Sequence, residues 1–207
     1  MHWDHVGEPR DFPRSTFVVG YGSLGVLAGT AALRGGHSFF EADLLDPART
    51  VELPDPRNAI DDTSDGSPTA ATSASRNLGG PWRIIDGSPT VLDVFGDGSL
   101  YIVDAPGHLP GHINLLARVE DSSSDGSKWI YLAGDACHDR RILRKEKKVG
   151  EWYDASGHLC CIHADRTKAE ETIDRIRRLE DNGVEVIFAH DVEWEADERN
   201  RGRLYGA

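Results

Sequence analysis

Four short stretches of this chain carry residues suited to binding a metal, and they lie far apart: His2-Trp3-Asp4-His5, Gly107-His108, Gly134-Asp135 and Ala189-His190. The steps from His5 to His108, from His108 to Asp135 and from Asp135 to His190 are 103, 27 and 55 residues. Such scattered groups meet only if a folded sheet gathers them. Each of the last three directly follows a strand-like run or its terminal turn, and side chains at the ends of neighbouring strands converge on one sheet edge.

The rest of the pattern agrees with a sheet. Residues 16–20 read as a short buried strand, and residues 24–33 as a short helix weakened by Gly25 and Gly29. Strand signals then recur at 82–86, 90–95, 100–104, 113–119 and 129–133, joined by tight Gly-Asp-Gly and Ser-Ser-Ser-Asp-Gly connections at 96–98 and 122–126. The spacing predicts a sheet built mainly from hairpins. One strong helix follows, with Thr167 and Glu170 at capping-box spacing, an apolar face of Ala169, Ile173, Ile176 and Leu179, and Gly183 at its end. Residues 184–189 read as a buried strand. The fold class is α/β.

At 207 residues the chain suits a single domain over 1–207, interrupted by a long surface loop or insertion at 43–80 that holds Pro47, Pro54, Pro56 and Pro68 among many Asp, Ser and Thr. Its 23 Lys and Arg against 35 Asp and Glu give a net charge of −12, which repels phosphate backbones and excludes nucleic acid as the expected partner. No apolar run approaches the ~20 residues that span a bilayer, and the N-terminus lacks the pattern of a signal peptide. With only 3 cysteines, two of them adjacent, the default is a reducing compartment, and the expected localisation is cytoplasmic.

Neutral imidazole and carboxylate suit zinc or another borderline divalent ion, and an open coordination position lowers the pKa of bound water to ~7. Two such ions can share a carboxylate, for which Asp135 is the natural bridge. At these residues the sequence resembles the metallo-β-lactamase superfamily, whose motif is His-x-His-x-Asp-His followed by Gly-His, Gly-Asp and a late His. The stretch His2-Trp3-Asp4-His5-Val6-Gly7 matches the latter part of that motif, and Pro106-Gly107-His108-Leu109-Pro110-Gly111-His112 is similar to the lactonase and glyoxalase II branches. Leu132-Ala133-Gly134-Asp135 and Ile187-Phe188-Ala189-His190-Asp191 complete the order.

The resemblance implies an αββα sandwich of two mixed sheets with outer helices, and hydrolysis of a cyclic ester or amide by zinc-activated water. It implies His2 and His108 as ligands of a first zinc, Asp4, His5 and His190 as ligands of a second, and Asp135 as the bridge. Asp135 and Asp4 would be the catalytic carboxylates, Asp4 by moving a proton to the leaving group. The motif's first histidine would fall two positions before His2, so the resemblance further implies a member lacking its N-terminal strands, with two zinc ions in the intact site and one or two here. A metal-poor remnant, a thioester hydrolase and a di-iron redox protein are the alternatives.

The expected substrate is a small molecule. The basic run Arg140-Arg141-Ile142-Leu143-Arg144-Lys145-Glu146-Lys147-Lys148 is a solvated face or a pocket border able to attract an anionic one. His112 reads as a support for a ligand, and Cys137 and His138 as lining. The segment from His158 to His163 lacks a second well-spaced pair for a zinc site of its own.

Overall fold

The computed structural model describes residues 2–31, 33, 40–61, 77–85, 90–120 and 126–203. The elements run β1 (Phe17–Val19), α1 (Ser23–Leu27), β2 (Thr50–Glu52), β3 (Ile60–Asp61), β4 (Arg83–Ile84), β5 (Thr90–Asp93), β6 (Leu100–Asp104), β7 (Ile113–Glu120), β8 (Ser127–Leu132), α2 (Arg140–Leu143), β9 (Glu151–Tyr153), β10 (Leu159–Cys161), α3 (Arg166–Asp181), β11 (Glu185–Ile187) and α4 (Val192–Ala196). Seven strands form one mixed sheet in the order β11-β8-β7-β6-β5-β4-β3, β1 pairs with β2 in parallel, and β9 and β10 form a hairpin. Strands β4 to β8 are joined antiparallel, as the hairpin spacing predicts.

Alternation along the strands explains why both faces of the sheet are covered. On one face Val91, Val103, Tyr131 and Val186 pack with Ile173 and Ile176 of α3. The neighbouring residues Leu92 and Ile102 point the other way, into a cluster with Leu53 and Trp82 that Val18 of β1 joins. The indole Nε1 of Trp82 donates to the Pro54 carbonyl at 2.7 Å, so its one polar atom is satisfied inside the cluster. Burying a side chain such as Ile176, 0% exposed, contributes roughly 1.5–3 kcal/mol.

Three expectations change. The helix expected over 24–33 is confined to Ser23–Leu27, followed by Gly29 at φ +67°. Within 43–80, residues 50–52 and 60–61 are short strands, while residues 62–76 lie outside the described residues. The cap of α3 lies two residues before the expected one: Asp165, not Thr167, is the N-cap, and its carboxylate accepts from the Lys168 amide. The reason is tertiary, because the Asp165 amide donates to the Gly107 carbonyl at 2.9 Å and holds residue 165 extended. Among the described residues no helix is long and apolar enough to cross a membrane.

Candidate metal centre

Strands β6 and β8 both run antiparallel to β7, and β11 runs parallel to β8, so β6, β8 and β11 point the same way. The residues just beyond their C-terminal ends therefore share one rim of the sheet: His108 after β6, Asp135 after β8 and His190 after β11. The Gly134 carbonyl accepts from the Ala189 amide at 3.0 Å, which locks the last two turns together.

His108 is placed by a turn that only glycine permits. Gly107 has φ +125°, and a Cβ there would stand 2.2 Å from the backbone nitrogen of Ala169 in α3. The His108 and Gly107 carbonyls accept from the amides of Ala164 and Asp165, fastening the turn to the segment that enters α3. The His108 side chain is 2% exposed. Its Nε2 lies 3.3 Å from Asp135 Oδ2 and 3.0 Å from His2 Nδ1. Its Nδ1 lies 3.3 Å from Nδ1 of buried His163. Burial pushes the His108 pKa down to about 4, although Asp135 pulls the other way, so at neutral pH the ring is neutral.

Asp135 occupies a single 3-10 turn, Gly134–Ala136, with its carboxylate 7% exposed. Burial alone would raise its pKa, but the hydrogen bond from His108 and the nearby His138 and His5 hold it well below the usual carboxylate range. Its two oxygens face different neighbours. Oδ2 is 2.8 Å from His5 Nε2 and 3.3 Å from His108 Nε2, while Oδ1 is 3.4 Å from His190 Nε2 and 3.5 Å from His138 Nε2. Asp4 Oδ2 closes the outer side at 3.4 Å from His5 Nε2 and 3.5 Å from His190 Nε2. All six residues singled out in the sequence thus meet in one cluster.

Their spacing suits a divalent ion. Ligands about 2.0–2.2 Å from a tetrahedral ion stand about 3.4 Å apart, close to the separations above. Three sets could each hold an ion: His2 with His108 and Asp135, Asp4 with His5 and His190, and Asp135 with His138 and His190. Asp135 Oδ1 is buried without a hydrogen-bond partner in the protein, which a cation bridging its neighbours would supply.

Supporting groups were only partly legible in the sequence. His112 behaves as expected: its Nδ1 donates to the Ala105 carbonyl and its Nε2 accepts from the Asp135 amide, so it fixes the turn that carries the bridge. Burial brings its pKa down to about 4, as a neutral acceptor requires. His163 and Arg140 were missed in these roles. Arg140 reaches both oxygens of Asp191, Glu180 Oε1 and the Val186 carbonyl, bracing the loop beside His190. His158 stays exposed and bonded to Asp154, away from buried His163.

This arrangement, a mixed sheet whose parallel strand ends carry imidazoles around one carboxylate, is that of the metallo-β-lactamase fold. The chain is 32% identical over 206 residues to the cytochrome P450 monooxygenase mpaDE' of Penicillium brevicompactum, covering 92% of this chain and 21% of that protein. It is 31% identical over 144 residues to the metallo-hydrolase mfmC of Annulohypoxylon moriforme, covering 69% and 30%. With the gamma-lactamase FDB1 of Fusarium pseudograminearum it shares 30% identity over 139 residues, covering 66% and 27%. Among solved structures it superposes on an N-acyl homoserine lactone hydrolase with N-hexanoyl-L-homoserine at the catalytic metal centre, at TM-score 0.53 and 17% identity over 94% of this chain and 54% of that one. No protein-family model matches the chain. The chain belongs to the metallo-β-lactamase superfamily. It spans about a fifth to a third of the length of these curated relatives, and that fold implies a divalent metal.

Proposed function

We propose that the chain is a metal-dependent hydrolase that opens a cyclic ester or amide, with zinc held by His2, Asp4, His5, His108, Asp135 and His190. The observation that carries this reading is the central place of Asp135, which shares one candidate ion with His2 and His108 and touches His5 and His190 of the other set. Divalent ions bound there would bring the pKa of a water toward ~7 and polarise the substrate carbonyl. His108, neutral at working pH, offers Nε2 to such an ion while Nδ1 meets His163. The half-exposed Asp4 carboxylate, beside His5 and His190, is placed to pass a proton to the departing alkoxide or amine.

Substrate would enter a cleft of about 240 Å³ lined by His2, His5, Val18, Val19, His108 and Asp135, among others. Its mixed apolar and polar wall suits a small organic ring. An anionic substrate finds less support, because Arg140, Arg141, Arg144 and Lys145 are each paired with an acidic side chain. The relatives named as a gamma-lactamase and a lactone hydrolase support a cyclic amide or ester. Three free thiols, at Cys137, Cys160 and Cys161, favour a cytoplasmic setting.

The test is elemental analysis of the purified chain together with ring-opening assays on lactones, lactams and thioesters. Zinc at one or two ions per chain and turnover of a lactone or lactam are expected, and both are lost in Asp135→Ala. Iron with redox activity, a preference for thioesters, or unchanged metal content in Asp135→Ala would overturn the reading.

A further inference from the structure

His138 belongs to the same rim and to one of the three candidate sets, yet is not among the six ligands the proposed function assigns. Its position is closely determined. Cys137, before it, is buried in the main core, and Asp139, after it, caps α2 by accepting from the Arg141 amide. Between these anchors the imidazole turns toward the carboxylate three residues earlier. It stacks on His190, with ring centroids 5.6 Å apart and planes 13° from parallel.

Packing alone explains this badly. His138 Nε2 is 3.5 Å from Asp135 Oδ1, too long for a good hydrogen bond, and Oδ1 has no other hydrogen-bond partner in the protein. His138 Nδ1 is also buried without a partner. On the other side of the ring, Nε2 faces Oδ1 at ligand-to-ligand spacing. The same spacing continues around the outer side, with 3.4 Å from Asp135 Oδ1 to His190 Nε2 and 3.5 Å from His190 Nε2 to Asp4 Oδ2. A single ion could touch Asp135, His138 and His190 together, and zinc accepts four or five ligands.

The geometry points to His138 as a further ligand of the outer metal, joining His190 on the Oδ1 side of Asp135. This rests on the metal-dependent reading above, because it assigns one more residue to the same centre. An imidazole there would compensate for the exposure of the outer ligands, since a side chain fixed by the core holds the ion against solvent.

The test is competitive titration of the metal-free full chain with zinc against a chromophoric chelator, repeated for His138→Phe and His138→Gln. Phenylalanine preserves the ring stack on His190, and glutamine preserves polarity. Cobalt-loaded samples report the ligand field through their visible absorption. The expected result is that both variants weaken the outer ion by more than ~100-fold, beyond the ~10–100-fold typical of a residue that only supports a ligand. The inner ion should stay within a few-fold of wild type, and the cobalt spectrum should change. Two ions bound at wild-type affinity with an unchanged spectrum in either variant would overturn the inference while leaving the hydrolase reading intact. A smaller loss with an unchanged spectrum would reduce His138 to a positioning residue and also overturn it. If the wild-type chain takes up no ion, the broader reading fails with it.

Discussion

Asp135 separates two unlike halves of one site. On its Oδ2 side His108 is 2% exposed, backed by His163, and its turn is fastened to the segment entering α3. Among the outer residues His190, at Oδ1, is 46% exposed, Asp4 34%, and His5, which reaches round to Oδ2, 30%. The outer half is braced instead by Arg140 on Asp191, whose carboxylate also caps α4 by accepting from the Trp194 amide. The inner half is thus shaped by the core, and the outer half by ion pairs near the surface. Preorganisation is unevenly shared, and the inner ligands should lose more when disturbed.

The sharpest way to break that comparison is to delete one histidine from each side. His108→Ala removes a ring 2% exposed from between Asp135 Oδ2 and His163, and truncating a large buried side chain costs about 2–5 kcal/mol through the cavity it leaves. His190→Ala trims a side chain close to half exposed, where about 0.5 kcal/mol is the usual limit. Denaturant unfolding of the metal-free chains should therefore show a marked loss for the first and almost none for the second. Elemental analysis should find the outer ion missing from His190→Ala and the inner ion missing from His108→Ala. Equal stability losses would show that the two halves are equally built into the core.

A smaller effect would sharpen the account of the inner half. His163→Leu keeps the volume behind His108 but removes the nitrogen at 3.3 Å that orients its ring. Zinc affinity at the inner position should fall about 10–100-fold, with the outer position unchanged. Calorimetric titration with zinc reads both, and no change at the inner position would make His163 a packing residue.

The difference between the halves also explains what could be read from the sequence. His2, Asp4, His5, His108, Asp135 and His190 stood out because their residue types, turn contexts and order are local properties of the chain. The sheet was legible for the same reason, since alternation and tight connections mark β5 through β8 directly. His163 carried no such signal. It lies 55 residues from His108, and its role exists only because the start of α3 is tied to the Gly107 turn. That tie is also what moved the helix cap from Thr167 to Asp165. Arg140 sat in a run of cations that looked like a solvated face, and its contacts with Glu180, Val186 and Asp191 needed three other elements to be in place. Groups that hold ligands were visible, whereas groups that hold the holders were set by tertiary contacts.

The last and smallest effect separates burial from ligand chemistry on the approach to the inner half. Asp104 ends β6, four residues before His108, and burial raises its pKa to about 6, with Arg175 opposing and Asp55 adding to the rise. The folded chain therefore binds this proton more tightly than the unfolded chain does. That contribution to stability is fully present below about pH 4 and is lost as the pH climbs through about 6. Above that range the buried carboxylate is a cost, which Asp104→Asn removes. A shift of about two pKa units corresponds to about 3 kcal/mol at most, and partial exposure reduces the expected gain to about 1–2 kcal/mol. Thermal melts of the metal-free proteins should find the variant more stable than wild type at pH 8 and indistinguishable near pH 4. An equal gain at both pH values would mean that charge at Asp104 is not what strains the strand, and that the inner half is built without this electrostatic cost.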